Sequence, residues 1–180
     1  MLSEKQITIE GLTLFYQVAG NPQNKPLIFL HGWGARAKDT FGKGRSKVTE
    51  KLSKYFYVYA IELPGLIRSQ PPKVVWDMED YAKIIHSFIK ALTINKPILM
   101  GQSFGGGVAT TYAGFYPNDI SFLVLVDASP GKRKPNFYYS LRFKWKPFFD
   151  WIVNNQKAPL ALKKNCYLFV SWSANKSYNK

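Results

Sequence analysis

The sequence predicts an α/β protein, a mostly parallel sheet flanked by helices, and three observations predict it. From residue 27 to residue 127, strand-like and helix-like segments alternate, the pattern of parallel βαβ units. The run Leu27-Ile28-Phe29-Leu30 is wholly apolar, as in a strand covered on both faces. The chain has 180 residues, of which 46% are apolar, which fits one hydrophobic core and excludes wholesale disorder.

Taken in order, Gln6–Glu10 and Leu12–Val18 read as two strands around a turn at Gly11, with Ile7, Ile9, Leu12, Leu14 and Tyr16 giving the alternation of a sheet with one wet face. Asn21-Pro22-Gln23-Asn24 is a loop. The strand Leu27–Leu30 follows and ends in His31-Gly32-Trp33-Gly34. The polar, glycine-punctuated stretch 35–46 leads into a short helix, Lys47–Lys54. A strand over Tyr55–Ile61 ends in Glu62-Leu63-Pro64-Gly65. Met78–Leu92 is a helix, because Tyr81, Ile84, Ile85, Phe88 and Ile89 recur at helical spacing. Pro97–Met100 is a strand, Phe104–Tyr116 a helix stopped by Pro117, and Ser121–Val126 a last buried strand ending at Asp127.

The composition breaks near Pro130. The net charge is +14 overall; residues 1–130 carry 14 Lys/Arg against 10 Asp/Glu, whereas residues 131–180 carry 11 against Asp150 alone. This divides the chain into 1–130, the N-terminal portion of the core, and 131–180, a basic aromatic segment that is a partial cap or an aberrant tail. The basic end is compatible with an anionic surface, but no nucleic-acid motif accompanies it, so no nucleic-acid partner is expected. Cys166 is the only cysteine, which excludes an internal disulfide and suits a reducing compartment. The N-terminus lacks the apolar segment of a signal peptide, and no run approaches the roughly 18 residues of a membrane span. A cytoplasmic location follows as the expectation. Two histidines and one cysteine are too scattered for a metal site, and Gly42-Lys43-Gly44 lacks the preceding buried strand of a phosphate loop. No metal and no cofactor are expected.

The chemistry concentrates in Gly101-Gln102-Ser103-Phe104-Gly105. A glycine-flanked serine between a buried strand and a helix is the layout of a nucleophile elbow, in which a sharp turn lifts the hydroxyl above the sheet edge. The plainer alternative is a glycine-rich turn that happens to hold a serine.

Four features in order make the chain resemble the α/β-hydrolase superfamily, and within it the small esterase, carbon–carbon hydrolase and carboxylesterase-like branch. They are His31-Gly32-Trp33-Gly34 after a buried strand, Glu62-Leu63-Pro64-Gly65 with Ser69 soon after, the elbow around Ser103, and Leu123-Val124-Leu125-Val126-Asp127 on the next strand. The resemblance covers residues 5–130. Gln102 stands where that family most often has His, Glu62 where Asp is usual and Ile67 where Gly is usual.

The resemblance implies a serine hydrolase acting on an ester or related acyl bond of a small molecule. Ser103 is its nucleophile, and the backbone N–H groups of Trp33 and Phe104 form an oxyanion hole. His31, Gly32, Gly34, Gly101 and Gly105 support these turns. Trp33 and Phe104 equally suit ordinary core aromatics. His31 belongs to the oxyanion loop in that family and is not its base, and His86 lies mid-helix, where a packing role is expected. Asp127 is a fallback position for the acid. The family places its acid and its histidine after later strands, and no histidine follows His86. The chain is therefore expected to be C-terminally truncated relative to that family and to turn over weakly or not at all. The alternative is a non-catalytic remnant or binding module on a partial hydrolase scaffold.

Overall fold

The computed structural model describes residues 2–33, 48–128 and 167–170. Gly34, the 35–46 stretch, all of the basic aromatic segment 131–180 but 167–170, and with it Cys166, lie outside the described residues.

Seven strands form one sheet: β1 (Ser3–Ile9), β2 (Leu12–Ala19), β3 (Pro26–Leu30), β4 (Tyr57–Ile61), β5 (Ile98–Gln102), β6 (Phe122–Val126) and β7 (Tyr167–Val170), in the spatial order β1-β2-β4-β3-β5-β6-β7. The β1–β2 hairpin turns at Glu10 and Gly11, both at positive φ, and pairs antiparallel; β2 also runs antiparallel to β4. All remaining pairings are parallel. The helices are α1 (Val48–Leu52), α2 (Met78–Ala91) and α3 (Phe104–Phe115).

Side-chain alternation along the strands separates two cores. On one face Leu14, Tyr16, Ile28, Leu30, Ile61, Leu99 and Leu123 pack with Ile84, Ile85 and Phe88 of α2 and Val108 and Tyr112 of α3. On the other, Leu27, Phe29, Val58, Ala60, Ile98 and Met100 form a second cluster that takes in Leu52 of α1 and Phe56. This two-sided cover is why β3 carries no polar residue. Helix α2 starts where Asp77 accepts from the N–H groups of Glu79 and Asp80, while the Asp80 carboxylate accepts from the Asp77 N–H, a reciprocal capping box.

Three expectations shift. The fourth strand begins at Tyr57, because Tyr55 and Phe56 close the turn after α1 through N–H bonds to the Leu52 carbonyl. Strand β1 begins at Ser3, three residues earlier than its apolar residues suggest, because its first residues are exposed at the sheet edge. Within the basic aromatic segment 131–180, Tyr167–Val170 forms β7 in parallel register with β6, Leu125 opposite Phe169. A four-residue apolar run has no periodicity of its own, and only its partner reveals it.

The parallel register aligns the strand ends. Leu30 lies opposite Ile61 and Gly101, and Gln102 opposite Val126. His31, Glu62, Ser103 and Asp127 each follow a strand's last residue, so four separated sequence positions emerge along one edge of the sheet. Ligand sites of open α/β sheets form at these carboxyl ends.

Candidate functional site

Ser103 joins β5 to α3 at φ 48°, ψ −115°, a backbone conformation that L-residues rarely adopt and that costs about 1–3 kcal/mol. The surrounding hydrogen bonds hold it there. Its N–H donates to the Val126 carbonyl at 3.0 Å, and its own carbonyl accepts from Gly106 and Gly107 at 2.9 and 3.2 Å. The side chain caps nothing on the helix it precedes, so Oγ stays available at a half-buried position.

The flanking glycines are required by close approach. A Cβ on Gly101 would lie under 3.0 Å from the Gly105 backbone, and one on Gly105 under 3.0 Å from the carbonyls of Leu30 and His31. The loop after β3 approaches the same turn less tightly: a Cβ on Gly32 would meet the Ser103 Cβ at 3.2 Å and Oγ at 3.8 Å. The Gly105 N–H donates to the His31 carbonyl at 3.1 Å, which ties the two turns together. Among the described residues, no acceptor meets the backbone N–H of Phe104 or Trp33. The Phe104 N–H also opens helix α3, where the helix dipole favours negative charge.

His31 is fully buried. Its Nε2 accepts the Leu63 N–H at 3.1 Å, and its Nδ1 lies 2.8 Å from the Gly32 carbonyl. An amide can only donate and a carbonyl only accept, so Nδ1 carries the proton and the ring is neutral. Burial holds its pKa below the usual histidine value, against the Gly32 bond and the nearby Glu62 charge. Both nitrogens are committed, and His31 has no lone pair to offer as a base. His86 packs between α2 and the end of α3. It stacks on Tyr116 with ring centroids 3.9 Å apart, and Nδ1 lies 3.3 Å from Asp119 and 3.4 Å from the Tyr112 hydroxyl.

Glu62, also fully buried, is compensated by Arg68, whose guanidinium and backbone N–H both donate to it. Arg68 reaches on to Glu4 at 3.0 Å and covers the Phe15 ring at 5.0 Å from its centroid. The Ser69 hydroxyl donates to the Glu62 carbonyl at 2.6 Å and accepts the Phe15 N–H at 2.9 Å. These bonds clamp the loop after β4 to the β1–β2 hairpin. Asp127 is exposed, at φ 45°, one residue past the carbonyl that accepts the Ser103 N–H. Among the described residues, no bond joins it to either histidine.

Trp33 is 70% exposed, which rules out the ordinary core role open to it on sequence. Its ring meets Phe104 edge-on at 5.4 Å. Phe104 in turn meets Tyr81 at 5.2 Å, and Tyr81 meets Trp76 at 5.3 Å. Sequence reasoning placed Tyr81 on the core face of α2 and passed over Trp76. Their aromatic neighbours come from other elements, and no local pattern signals them. The pairing of Glu62 with Arg68 was also missed, although opposite charges six residues apart across a Pro-Gly turn are a readable signal. Among the described residues, no cluster of three or more metal-ligating side chains occurs and no helix is long and apolar enough to cross a membrane.

Residues 25–169 match the model of the alpha/beta hydrolase fold family, so the match runs well past residue 130. Human monoacylglycerol lipase ABHD6 is 36% identical over 123 residues, 65% of this chain and 34% of that protein. The Streptomyces lividans non-heme chloroperoxidase is 32% identical over 124 residues, 68% of this chain and 44% of that protein. Among solved structures, a bacterial membrane phospholipase A superposes with a TM-score of 0.65 at 28% identity, covering 71% of this chain and 40% of the other. The epoxide hydrolase CorEH gives 0.66 at 27%, covering 75% and 45%. The chain spans less than half the length of these curated relatives. With its mostly parallel sheet, its elbow at Ser103 and a family match over residues 25–169, the chain belongs to the α/β-hydrolase family.

Proposed function

We propose that Ser103 is the nucleophile of a serine hydrolase that cleaves an ester or related acyl bond of a small molecule. The observation that carries the reading is the backbone of Ser103, held at φ 48° with its side chain capping nothing on the helix and the Gly32 backbone so close that an added Cβ there would meet the Ser103 Cβ at 3.2 Å. Oγ attacks the acyl carbon and the acyl oxygen gains the negative charge. The N–H groups of Trp33 and Phe104 donate to that oxygen, an arrangement worth about 3–4 kcal/mol per donor in serine hydrolases. The tetrahedral species collapses, the alcohol leaves with a proton, and water releases the acid from the acylated serine.

A serine hydroxyl attacks slowly without a base. Both histidines of this sequence are engaged elsewhere, and Asp127, the candidate acid, has no imidazole to orient. The chain itself therefore turns over weakly, with the Ser103 proton passing to solvent. The same engagement of the histidines favours a second reading, a binding module on the hydrolase scaffold. A fluorophosphonate probe separates them. Slow labelling that maps to Ser103 and vanishes in Ser103→Ala supports the hydrolase reading, and no labelling supports the binding module. Labelling as fast as that of a complete serine hydrolase overturns the inference of weak turnover.

A further inference from the structure

We propose that Arg68 and Ser69 are positioning residues of this site: by gripping Glu62 they aim, through His31, the Trp33 N–H at the acyl oxygen. The proposal rests on that N–H being an oxyanion donor, as in the hydrolase reading. It adds to that reading two residues of the loop after β4.

A peptide bond is planar, so its C=O and N–H point in opposite directions and neither turns without the other. Trp33 shares such a plane with the Gly32 carbonyl, which accepts the proton of His31 Nδ1 at 2.8 Å. Wherever the imidazole holds that carbonyl, the Trp33 N–H faces the other way. The imidazole is held in turn at its far nitrogen, where Nε2 accepts the Leu63 N–H at 3.1 Å. Leu63 shares its own plane with the Glu62 carbonyl. One buried ring therefore couples two peptide planes, and the one at Glu62 steers the one at Trp33.

Glu62 is where this relay is anchored. Its N–H donates to the Phe15 carbonyl at 3.0 Å, and its carbonyl accepts the Ser69 hydroxyl at 2.6 Å. A hydroxyl has one proton, and Ser69 Oγ also accepts the Phe15 N–H at 2.9 Å, so the proton is committed to Glu62. The Glu62 carboxylate takes the Arg68 guanidinium on both oxygens, at 2.5 and 3.1 Å, and the Arg68 N–H at 3.1 Å. Every polar group of Glu62 is thus engaged. Glu62, Ser69 and His31 are all buried, where solvent does not replace a lost bond. The Phe104 N–H is set by the elbow, through different bonds. Damage to the relay therefore misaims one donor of the two.

The test combines fluorophosphonate labelling of Ser103 with nitrogen-15 NMR of the imidazoles. Ser69→Ala and Arg68→Gln should each slow labelling at least about tenfold, short of the roughly 10²–10³ that loss of a whole donor costs. Arg68→Lys, which keeps a cation beside Glu62, should recover most of the rate. In Ser69→Ala and Arg68→Gln the His31 ring should also leave its single tautomer, Nδ1 protonated and Nε2 unprotonated, and exchange between both. Val58→Ala, in the core on the opposite face of the sheet, weakens the fold without touching the relay and should label at the wild-type rate. If one relay variant fails to fold, the other carries the same two readouts. Wild-type labelling in the relay variants, slowed labelling with His31 still in one tautomer, or equal slowing in Val58→Ala overturns the proposal. Wild-type protein that does not label, with the tautomer still shifting in the variants, removes the hydrolase reading and leaves the relay standing.

Discussion

The Gly105 N–H donates to the His31 carbonyl at 3.1 Å, and the contact leaves no room for a side chain on Gly105. One bond thus joins the first turn of α3 to the end of β3. Gly105→Ala would drive a methyl into two backbone carbonyls that cannot yield. It is expected to destabilise the protein by about 2–3 kcal/mol, the range of overpacked cores. Gly114→Ala in the same helix meets nothing within 4 Å and should stabilise by about 0.5–1 kcal/mol through helix propensity. Urea unfolding of the pair reads opposite signs from the same chemical change.

Ser103 stores strain that a glycine would release. Ser103→Gly relaxes the φ 48° backbone at the cost of a more flexible unfolded chain. The expected outcome is a gain of about 1 kcal/mol in thermal unfolding together with complete loss of probe labelling. A less stable variant would show that the elbow carries no strain.

His31 gives stability a pH dependence of defined sign. Its folded pKa lies below the ordinary value of 6.5 because the buried ring resists charging. Below pH 6.5 the unfolded chain takes up a proton that the folded protein refuses. The stabilisation is complete above pH 6.5 and falls as pH drops toward the depressed folded value, with a slope of up to about 1.4 kcal/mol per pH unit. Chemical denaturation between pH 7.5 and about 5 should show this slope, and His31→Gln should lack it. The Glu4 carboxyl, held low first by its hydrogen bond from Arg68, acts only below its ordinary value of 4.5.

Arg68 balances a charge that has no water. Arg68→Ala leaves the Glu62 carboxylate fully buried with its backbone bond alone, and should cost about 3 kcal/mol. Glu4→Gln, on the exposed arm of the same network, should cost less than about 1 kcal/mol. Equal losses in equilibrium unfolding would contradict the burial of Glu62.

What could be read from the sequence follows the range of each constraint. The elbow was legible because Gly101 and Gly105 are forced by contacts within a few residues of Ser103 and by one strand alongside. Strands β3, β5 and β6 announced themselves through unbroken apolar runs, and α2 through its periodic face. Strand β7 stayed hidden because Tyr167–Val170 acquires meaning only beside β6. The exposure of Trp33 and the ring row through Tyr81 to Trp76 are likewise set by elements meeting in space. On sequence Trp33 equally suits a core role, and the fold instead lays it open against Phe104.

The Ser103 N–H ends on β6 and the Gly105 N–H on the residue after β3. The turn is thus stitched to both neighbours of the strand that carries it. Opening either amide to solvent means parting central strands, so both should exchange hydrogen for deuterium only when the whole sheet comes apart. The geometry around Ser103 then has no partial state of decay: it persists at full definition up to the unfolding transition and disappears with it.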